Sequence, residues 1–428
     1  LGKIQINLAL LSTYSYLCLH NPSTSKISHI MQRISDRVNS LAVSQTLAMS
    51  QKSAELKAAG VDVVNMSVGE PDFNTPEHIK EAAKKAIDQN FTFYSPAAGY
   101  MSLRKAIAAK LDRENGLAYD ASQIVVGNGA KHALSNVILA TVNPGDEVII
   151  PTPAWVSYVE MVKLASGTSV TVPSTIDEDF KLSPARLEEA ITPRSRAIIL
   201  CSPSNPTGSV YTREELQALV NVLARHPQIL VIADEIYEHI RYNDQPFVSL
   251  ASFPEIADRT VVINGVSKAY AMTGWRIGYC AAPVEIAKAV AKLQGQATSG
   301  VSSIAQKAAE AAYEGPQECV AAMCEAFRRR RDLIVKLASE IPGFNVNCPQ
   351  GAFYLFPEVS SCFGKSDGAI RIGDSNDLAM YLLEKAHVAS VSGDAFCAPG
   401  YLRFSYATSD DNIIKAMHRV AEALSSLH

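Results

Sequence analysis

The chain has 428 residues, 47% of them hydrophobic and 19% charged, enough to bury a sizeable core and to make two domains more natural than one. A net charge of −4, with no dense basic block except Arg328 to Arg331, argues against a nucleic-acid or membrane-surface binder. The eight cysteines form no C-x2-C pair and the nine histidines no H-x3-H pair, so a reduced compartment is expected and a metal-dependent mechanism has no support.

Residues 1–33 read as a leader or transit-like segment. No Asp or Glu occurs from Leu1 to Ser35, Ser and Thr are frequent, and the basic residues are Lys3, Lys26 and Arg33. An organelle transit segment has this composition, and so would a translated leader upstream of a start at Met31, which would leave the protein cytoplasmic. The apolar piece from Ile4 to Leu19 is too short and too polar to span a bilayer.

Order is expected from Ile34, and residues 34–75 form an arm and part of a smaller domain. Ser44 to Ala59 is helix-like, Val61 to Val68 reads as a short strand, and Gly69 to Phe73 as a loop whose glycine lets a ligand approach the backbone. Thr75-Pro76-Glu77-His78 opens a helix to Gln89, with proline at the first helical position. Tyr94 to Tyr100 is irregular.

Residues 76–315 form the large domain. Apolar strands there alternate with amphipathic helices, as a mainly parallel sheet demands. The seven strands span 123–127, 147–151, 169–172, 197–201, 229–233, 260–264 and 277–281. Residues 316–428 form a smaller α+β domain: a long basic helix to Ser339, a strand-rich piece from Phe344 to Phe356, a polar insertion from Ser360 to Asn376, a helix from Asp377 to His387, two strands (388–391 and 401–406) and a terminal helix. The four-arginine run reads as one exposed turn of that long helix.

Four stretches at strand ends carry the chemistry. Lys268 follows the buried run Val261-Val262-Ile263 and the break at Asn264-Gly265, near Ser267 and Arg276. Desolvation there would release its proton and make it a nucleophile for a Schiff base, although a lone lysine is more often a snorkelling surface residue. Gly127-Asn128-Gly129-Ala130-Lys131 joins a strand to a helix and can cradle phosphate on free amides, or be an ordinary joint. Asn205, between Pro203 and Pro206, presents a rigid amide or marks a Pro-rich turn. Asp234 ends a buried strand and needs a cation or donor, or serves as a helix N-cap. A lysine for an aldehyde, an anion for a protonated ring nitrogen, donors for a phenolic oxygen and a cradle with arginine for phosphate are together what pyridoxal phosphate requires.

SKAYAMTGWRIGY (from Ser267), NPTG (from Asn205), DEIY (from Asp234) and VGEPDF (from Val68) resemble the class I aminotransferases of pyridoxal-phosphate fold type I, over the chain from about Ile34 to its end. The wording is nearer the bacterial-type aspartate aminotransferase branch. LQGQATSGVSSIAQKA (Leu293 to Ala308) is similar to its plant and algal plastid members, which can use aspartate, glutamate and prephenate.

The resemblance implies a covalent aldimine between pyridoxal 5'-phosphate and Lys268, which also acts as catalytic base. Asp234 binds the ring nitrogen, Tyr237 and Asn205 the 3'-oxygen, and Trp155 stacks on the ring. Gly129, Ala130, Ser267, Arg276 and a second subunit's Tyr94 hold the phosphate. Arg403 grips the substrate carboxylate with help from Gly69, and Lys131 takes the distal carboxylate of acidic substrates or the phosphate. The implied protein is a homodimeric plastid transaminase for amino and 2-oxo acids; an aromatic or neutral aminotransferase, or a C–S lyase, could use the same fold. The chain departs from the branch at Leu41 to Thr46, where Ala42-Val43 replaces the usual Lys-Pro pair.

Overall fold

The computed structural model describes residues 34–243 and 245–428; the expected leader or transit segment at 1–33 lies outside the described residues. The chain passes through α1 (Asp36–Asn39), α2 (Gln45–Ala58), the two-residue strand β1 (Val64–Asn65), α3 (Glu77–Asp88) and α4 (Met101–Asn115) before entering the sheet. Strands and helices then alternate: β2 (Ile124–Gly127), α5 (Ala130–Thr141), β3 (Glu147–Thr152), α6 (Ser157–Leu164), β4 (Thr168–Pro173), α7 (Pro184–Ala190), β5 (Ser195–Cys201), α8 (Arg213–Leu223), β6 (Leu230–Asp234), β7 (Thr260–Gly265) and β8 (Gly278–Ala281). These are the seven expected strands. They pair in the order β2-β8-β7-β6-β5-β3-β4, parallel except for β8, which runs antiparallel to β2 and β7.

A parallel sheet must be covered on both faces, and the apolar strand runs make that possible. Val125, Ile150, Ile199, Ile232 and Ile263 pack with α5, α6 and α9 (Val284–Ala297). Their chain neighbours Val126, Ile149, Ile198, Val231 and Val262 turn to the other face, under α3, α4 and α10 (Ser303–Glu314) near β2 and under α7 and α8 near β5. The ligand-facing strand ends are thereby held by two buried layers.

The remaining elements, α11 (Glu318–Ser339), β9 (Tyr354–Leu355), α12 (Ser375–Tyr381), β10 (Val388–Ala389), β11 (Val391–Ser392), β12 (Leu402–Ser405) and α13 (Asp410–Ser425), gather round another core containing Phe327, Phe353, Leu378, Phe404 and Met417. β1 joins them by parallel pairing of Val64 with Val388.

Several local expectations are corrected. Pro76 is the N-cap of α3, not its first residue; Thr75 donates its hydroxyl to Ala271 O (2.8 Å) and accepts from the Trp275 indole (3.0 Å), tying this helix start to the loop after Lys268. The strand expected at 61–68 is confined to Val64–Asn65. Phe344 to Phe356 holds one short strand, because the Gln350 and Gly351 amides donate to Gly208 O instead of to a ladder. The helix expected to begin at Asp377 starts at Ser375, capped by Asp374, and its final stretch, Leu382–Ala386, is a π-helix. The strand expected over 388–391 is two short ones, β10 and β11.

The arginine run is not an exposed turn. Arg330 and Arg331 are buried: Arg330 donates Nη1 and Nη2 to the two Asp72 oxygens (2.7 and 3.0 Å) and lies over Phe73, while Arg331 donates to Pro349 O (2.7 Å). Among the described residues no helix is long and apolar enough to cross a membrane.

Candidate active site

The carboxyl ends of the parallel strands open onto a cleft of about 390 Å³. It gathers Lys268, Asp234, Tyr237, Asn205, Ser267, Arg276, Ala130, Lys131, Trp155, Gly69 and Arg403, drawn from segments 334 residues apart in the chain (Gly69 to Arg403). Gly129 sits directly behind Ala130. Tyr94 is not in the cleft of its own chain; it is 98% exposed, beside the exposed Phe93.

Three glycines bring the α5 N-terminus down onto the sheet. Gly127, Gly278 and Gly265 stand opposite one another on β2, β8 and β7. A Cβ on Gly278 would lie 2.2 Å from the Ala130 nitrogen, closer than any side chain tolerates. Gly129 precedes the helix at φ +84°, a conformation that favours glycine. Its own amide donates to Gly127 O (2.8 Å), while the amides of Ala130 and Lys131 have no acceptor among the described residues. A Cβ on Gly129 would lie 2.3 Å from Arg276 Nη2, so a cradle exists between this helix end and the guanidinium. Arg276 itself adopts a left-handed backbone (φ +57°) and, among the described residues, donates only to the main-chain oxygens of Thr273 (2.9 Å) and Asn128 (3.3 Å).

Lys268 sits above the Tyr237 and Phe353 rings and donates to Gly69 O at 2.6 Å. Burial lowers its pKa from 10.5 to about 8, against the opposing pull of Glu70, with Arg403 and Arg276 adding to the depression. Such an amine sheds its proton near pH 8, well below a free lysine, and then becomes a nucleophile.

Asp234 ends β6, where burial pushes its carboxyl above the ordinary value. The Tyr158 hydroxyl donates to Oδ2 at 2.6 Å, and the Ile236 amide reaches Oδ1 at a long 3.4 Å. The local turn thus includes the N-cap-like contact that the sequence left open.

At the far wall, Arg403 is 2% exposed and donates Nη1 to Asn205 Oδ1 (3.0 Å) and Nη2 to Ser67 O (2.6 Å). Its guanidinium lies between the Tyr354 and Phe396 rings, and its buried Nε has no acceptor among the described residues. Tyr237 shares a 2.8 Å hydrogen bond with the Tyr354 hydroxyl. Lys131 is exposed, with its ammonium 4.8 Å from the Trp155 ring centre.

Tyr158 and Tyr354 were missed from sequence. Tyr158 had a readable signal, since it follows Trp155 by three residues at a helix start and so shares its face. Tyr354 had none, because its place depends on β9 pairing with β12. Ser44 and Thr46 also line the cleft, and Ser44 begins α2 without a side-chain cap.

Pyridoxal phosphate fits this donor set. The open amides and Arg276 cradle match its phosphate, the half-occupied Asp234 matches a protonated ring nitrogen, and Lys268 matches its aldehyde.

The aminotransferase class I and II family profile matches residues 61–420. An aspartate/prephenate aminotransferase of Cereibacter sphaeroides is 50% identical over 392 residues, covering 91% of this chain and 98% of its own. A Petunia hybrida bifunctional aspartate aminotransferase and glutamate/aspartate-prephenate aminotransferase is 51% identical over 396 residues, with 91% and 82% covered. The crystal structure of the Rhizobium meliloti aspartate aminotransferase superposes with a TM-score of 0.89 at 44% identity, covering 92% of this chain and all of that one.

Proposed function

The chain belongs to the class I and II aminotransferase family, and on that premise we propose that it moves the amino group between L-aspartate or L-glutamate and a 2-oxo acid such as 2-oxoglutarate by a ping-pong cycle, with prephenate, aminated to arogenate, as a further acceptor. The observation that carries this reading is the half-buried Lys268 amine, donating to Gly69 O at 2.6 Å in the cleft that also holds Asp234, Arg276 and Arg403, with its pKa lowered by burial to about 8. Pyridoxal phosphate, when bound, supplies the electron sink that weakens the bonds at the substrate α-carbon.

The chain's own residues do the rest. Lys268 would hold the cofactor aldehyde and would carry the proton from the substrate α-carbon. Asp234 would hold the proton on the ring nitrogen, Trp155 would pack on the ring, and Tyr237 and Asn205 would bind its oxygen. The Ala130 and Lys131 amides, Ser267 and Arg276 take the phosphate, joined by Tyr94 from a second copy in a homodimer. Arg403 grips the α-carboxylate as a two-pronged donor, which a lysine cannot do, with Gly69 backbone beside it.

Lys131 is assigned to the second carboxylate of acidic substrates. Among the described residues lining the cleft the lysines are Lys131 and Lys268, and Lys131 stands beside Trp155 and Arg276. A plastid address is proposed from the composition of the leader alone.

The test is the visible absorbance of the purified protein with pyridoxal phosphate, before and after L-aspartate, and then after 2-oxoglutarate or prephenate in parallel. A yellow band that bleaches with aspartate and returns with either acceptor supports the cycle. A band that bleaches only with aromatic or neutral amino acids would move the substrate assignment, and release of a thiol and pyruvate from a cysteine conjugate would favour a C–S lyase.

A further inference from the structure

Resting on the pyridoxal-phosphate reading above, we propose that Tyr158 is a positioning residue: its hydroxyl fixes the Asp234 carboxylate so that one oxygen is left facing the cleft for the ring nitrogen. Tyr158 is the second residue of α6 and is 2% exposed. Its Oη donates to Oδ2 of Asp234 at 2.6 Å, a short bond of the kind made to an ionised acceptor. Oδ1 has only the 3.4 Å contact from the Ile236 amide. One carboxylate oxygen is therefore engaged and the other is available.

The groups facing Asp234 come from three elements. Tyr158 approaches from α6, Cys201 from the end of β5, and Lys268 from the segment after β7. Burial and the neighbouring Asp234 hold the Cys201 thiol well above its ordinary pKa, so it stays neutral. The same two causes hold the Tyr158 phenol well above its own, so it remains an O–H donor at any working pH. Lys268 is the one cation, and its Nζ already donates to Gly69 O. On the proposed reading the cofactor then occupies that amine. Tyr158 is the donor to Asp234 that persists through every turn of the cycle.

The placement has a second consequence. Trp155 and Tyr158 meet edge to face, ring centres 5.4 Å apart. One turn at the start of α6 thus sets both the aromatic face proposed for the cofactor ring and the orientation of the acid at the ring nitrogen.

The experiment compares the unaltered protein, Tyr158→Phe, Asp234→Asn and the double variant, each stripped of cofactor. Two quantities are read: the dissociation constant for pyridoxal phosphate, by equilibrium dialysis, and the pH midpoint of the visible band after reconstitution. Phe keeps the ring and removes the donor. Binding is expected to weaken about tenfold, the size of one lost bond to a charged group. The band midpoint is expected to rise by about half a pH unit or more. Without its donor the carboxyl takes the shared proton, the ring nitrogen loses its positive charge, and the lysine–cofactor nitrogen becomes more basic. In the Asp234→Asn background the same Tyr158→Phe change should move neither quantity, because the coupling partner is gone.

A space-filling tyrosine predicts weaker binding without movement of the midpoint, and an unmoved midpoint with binding within about twofold of the unaltered protein overturns the proposal. So does an equal effect of Tyr158→Phe in both backgrounds. No band in the unaltered protein would overturn the cofactor reading itself, a result distinct from any outcome of the variants.

Discussion

Replacing Lys268 by Met in the cofactor-free protein is expected to raise its stability at pH 7. Burial takes the amine from 10.5 to about 8, and a depression of roughly two and a half pH units corresponds to about 3 kcal/mol of disfavoured charge. The sign follows from proton binding. Between pH 8 and 10.5 the unfolded chain holds a proton that the folded chain has lost, so stability rises with pH across that window and the full penalty is present below it. Methionine keeps much of the stem and carries no charge, but it removes the bond from Nζ to Gly69 O, a loss of about 1 kcal/mol. The net gain should be about 2 kcal/mol at pH 7, and above pH 10.5, where the charge penalty is gone, it should reverse to a loss of about 1 kcal/mol. Urea unfolding of both cofactor-free proteins at pH 7 and pH 10 measures it. A variant less stable than its parent at pH 7, or an advantage that does not shrink as pH rises, would refute the claim that this amine is held against its charge.

Arg403→Lys should lower kcat/KM for every amino acid by about 10²–10³, chiefly through KM, because one ammonium cannot replace two Nη donors; steady-state kinetics with alanine and aspartate would show losses of similar size. Lys131→Ala should weaken aspartate about tenfold or more while sparing alanine, and an equal loss on both would assign Lys131 to the phosphate. Glu235 is pushed from 4.5 to about 8 by burial, with Oε1 accepting from Ser249 and Leu250 and Oε2 unpartnered among the described residues. The folded state there keeps a proton that the unfolded chain loses between pH 4.5 and 8, so stability falls as pH rises through that window. Glu235→Gln mimics the neutral acid and should unfold later than its parent at pH 8.5 but not at pH 5; parallel curves would contradict this.

The sheet was legible because most of its strands are short apolar, largely β-branched runs bounded by turn residues, and burial on both faces leaves such runs little other choice. Its ligand end was legible for the same reason: Asp234, Asn205 and Lys268 each stand where an apolar run stops. The second core was less so. Its strands are two to four residues long, and the Phe344 to Phe356 stretch has strand composition but sends its amides to Gly208. The arginine run misled because its charge pattern suits an exposed helix, while Asp72, the partner that buries Arg330, lies 258 residues earlier. Tyr354 escaped in the same way, through contacts that only the tertiary pairing creates.

The two arginines that face the cleft differ from the carboxylate-paired Arg330 and Arg194. Arg330 meets both oxygens of Asp72, and Arg194 meets Glu147; each is neutralised within the chain. Among the described residues no carboxylate pairs with Arg276 or Arg403: the first donates to Thr273 O and Asn128 O, the second to Asn205 Oδ1 and Ser67 O. With Lys131 and Lys268 they place four cations on the described wall of the cleft, against Glu70 and Asp234. A chain of net charge −4 thus keeps a locally positive cleft, and desolvation by the walls strengthens the attraction for anions there. The cations also lie apart, with Arg276 beside the α5 amides and Arg403 across the cleft on β12. Such a distribution suits a ligand carrying one anionic group at each end of a flat centre, which is the form taken by a phosphorylated pyridine joined to an amino acid. These two arginines, which meet carbonyl and amide oxygens and no carboxylate among the described residues, therefore argue for the cofactor and the acid substrate together, more strongly than either does alone.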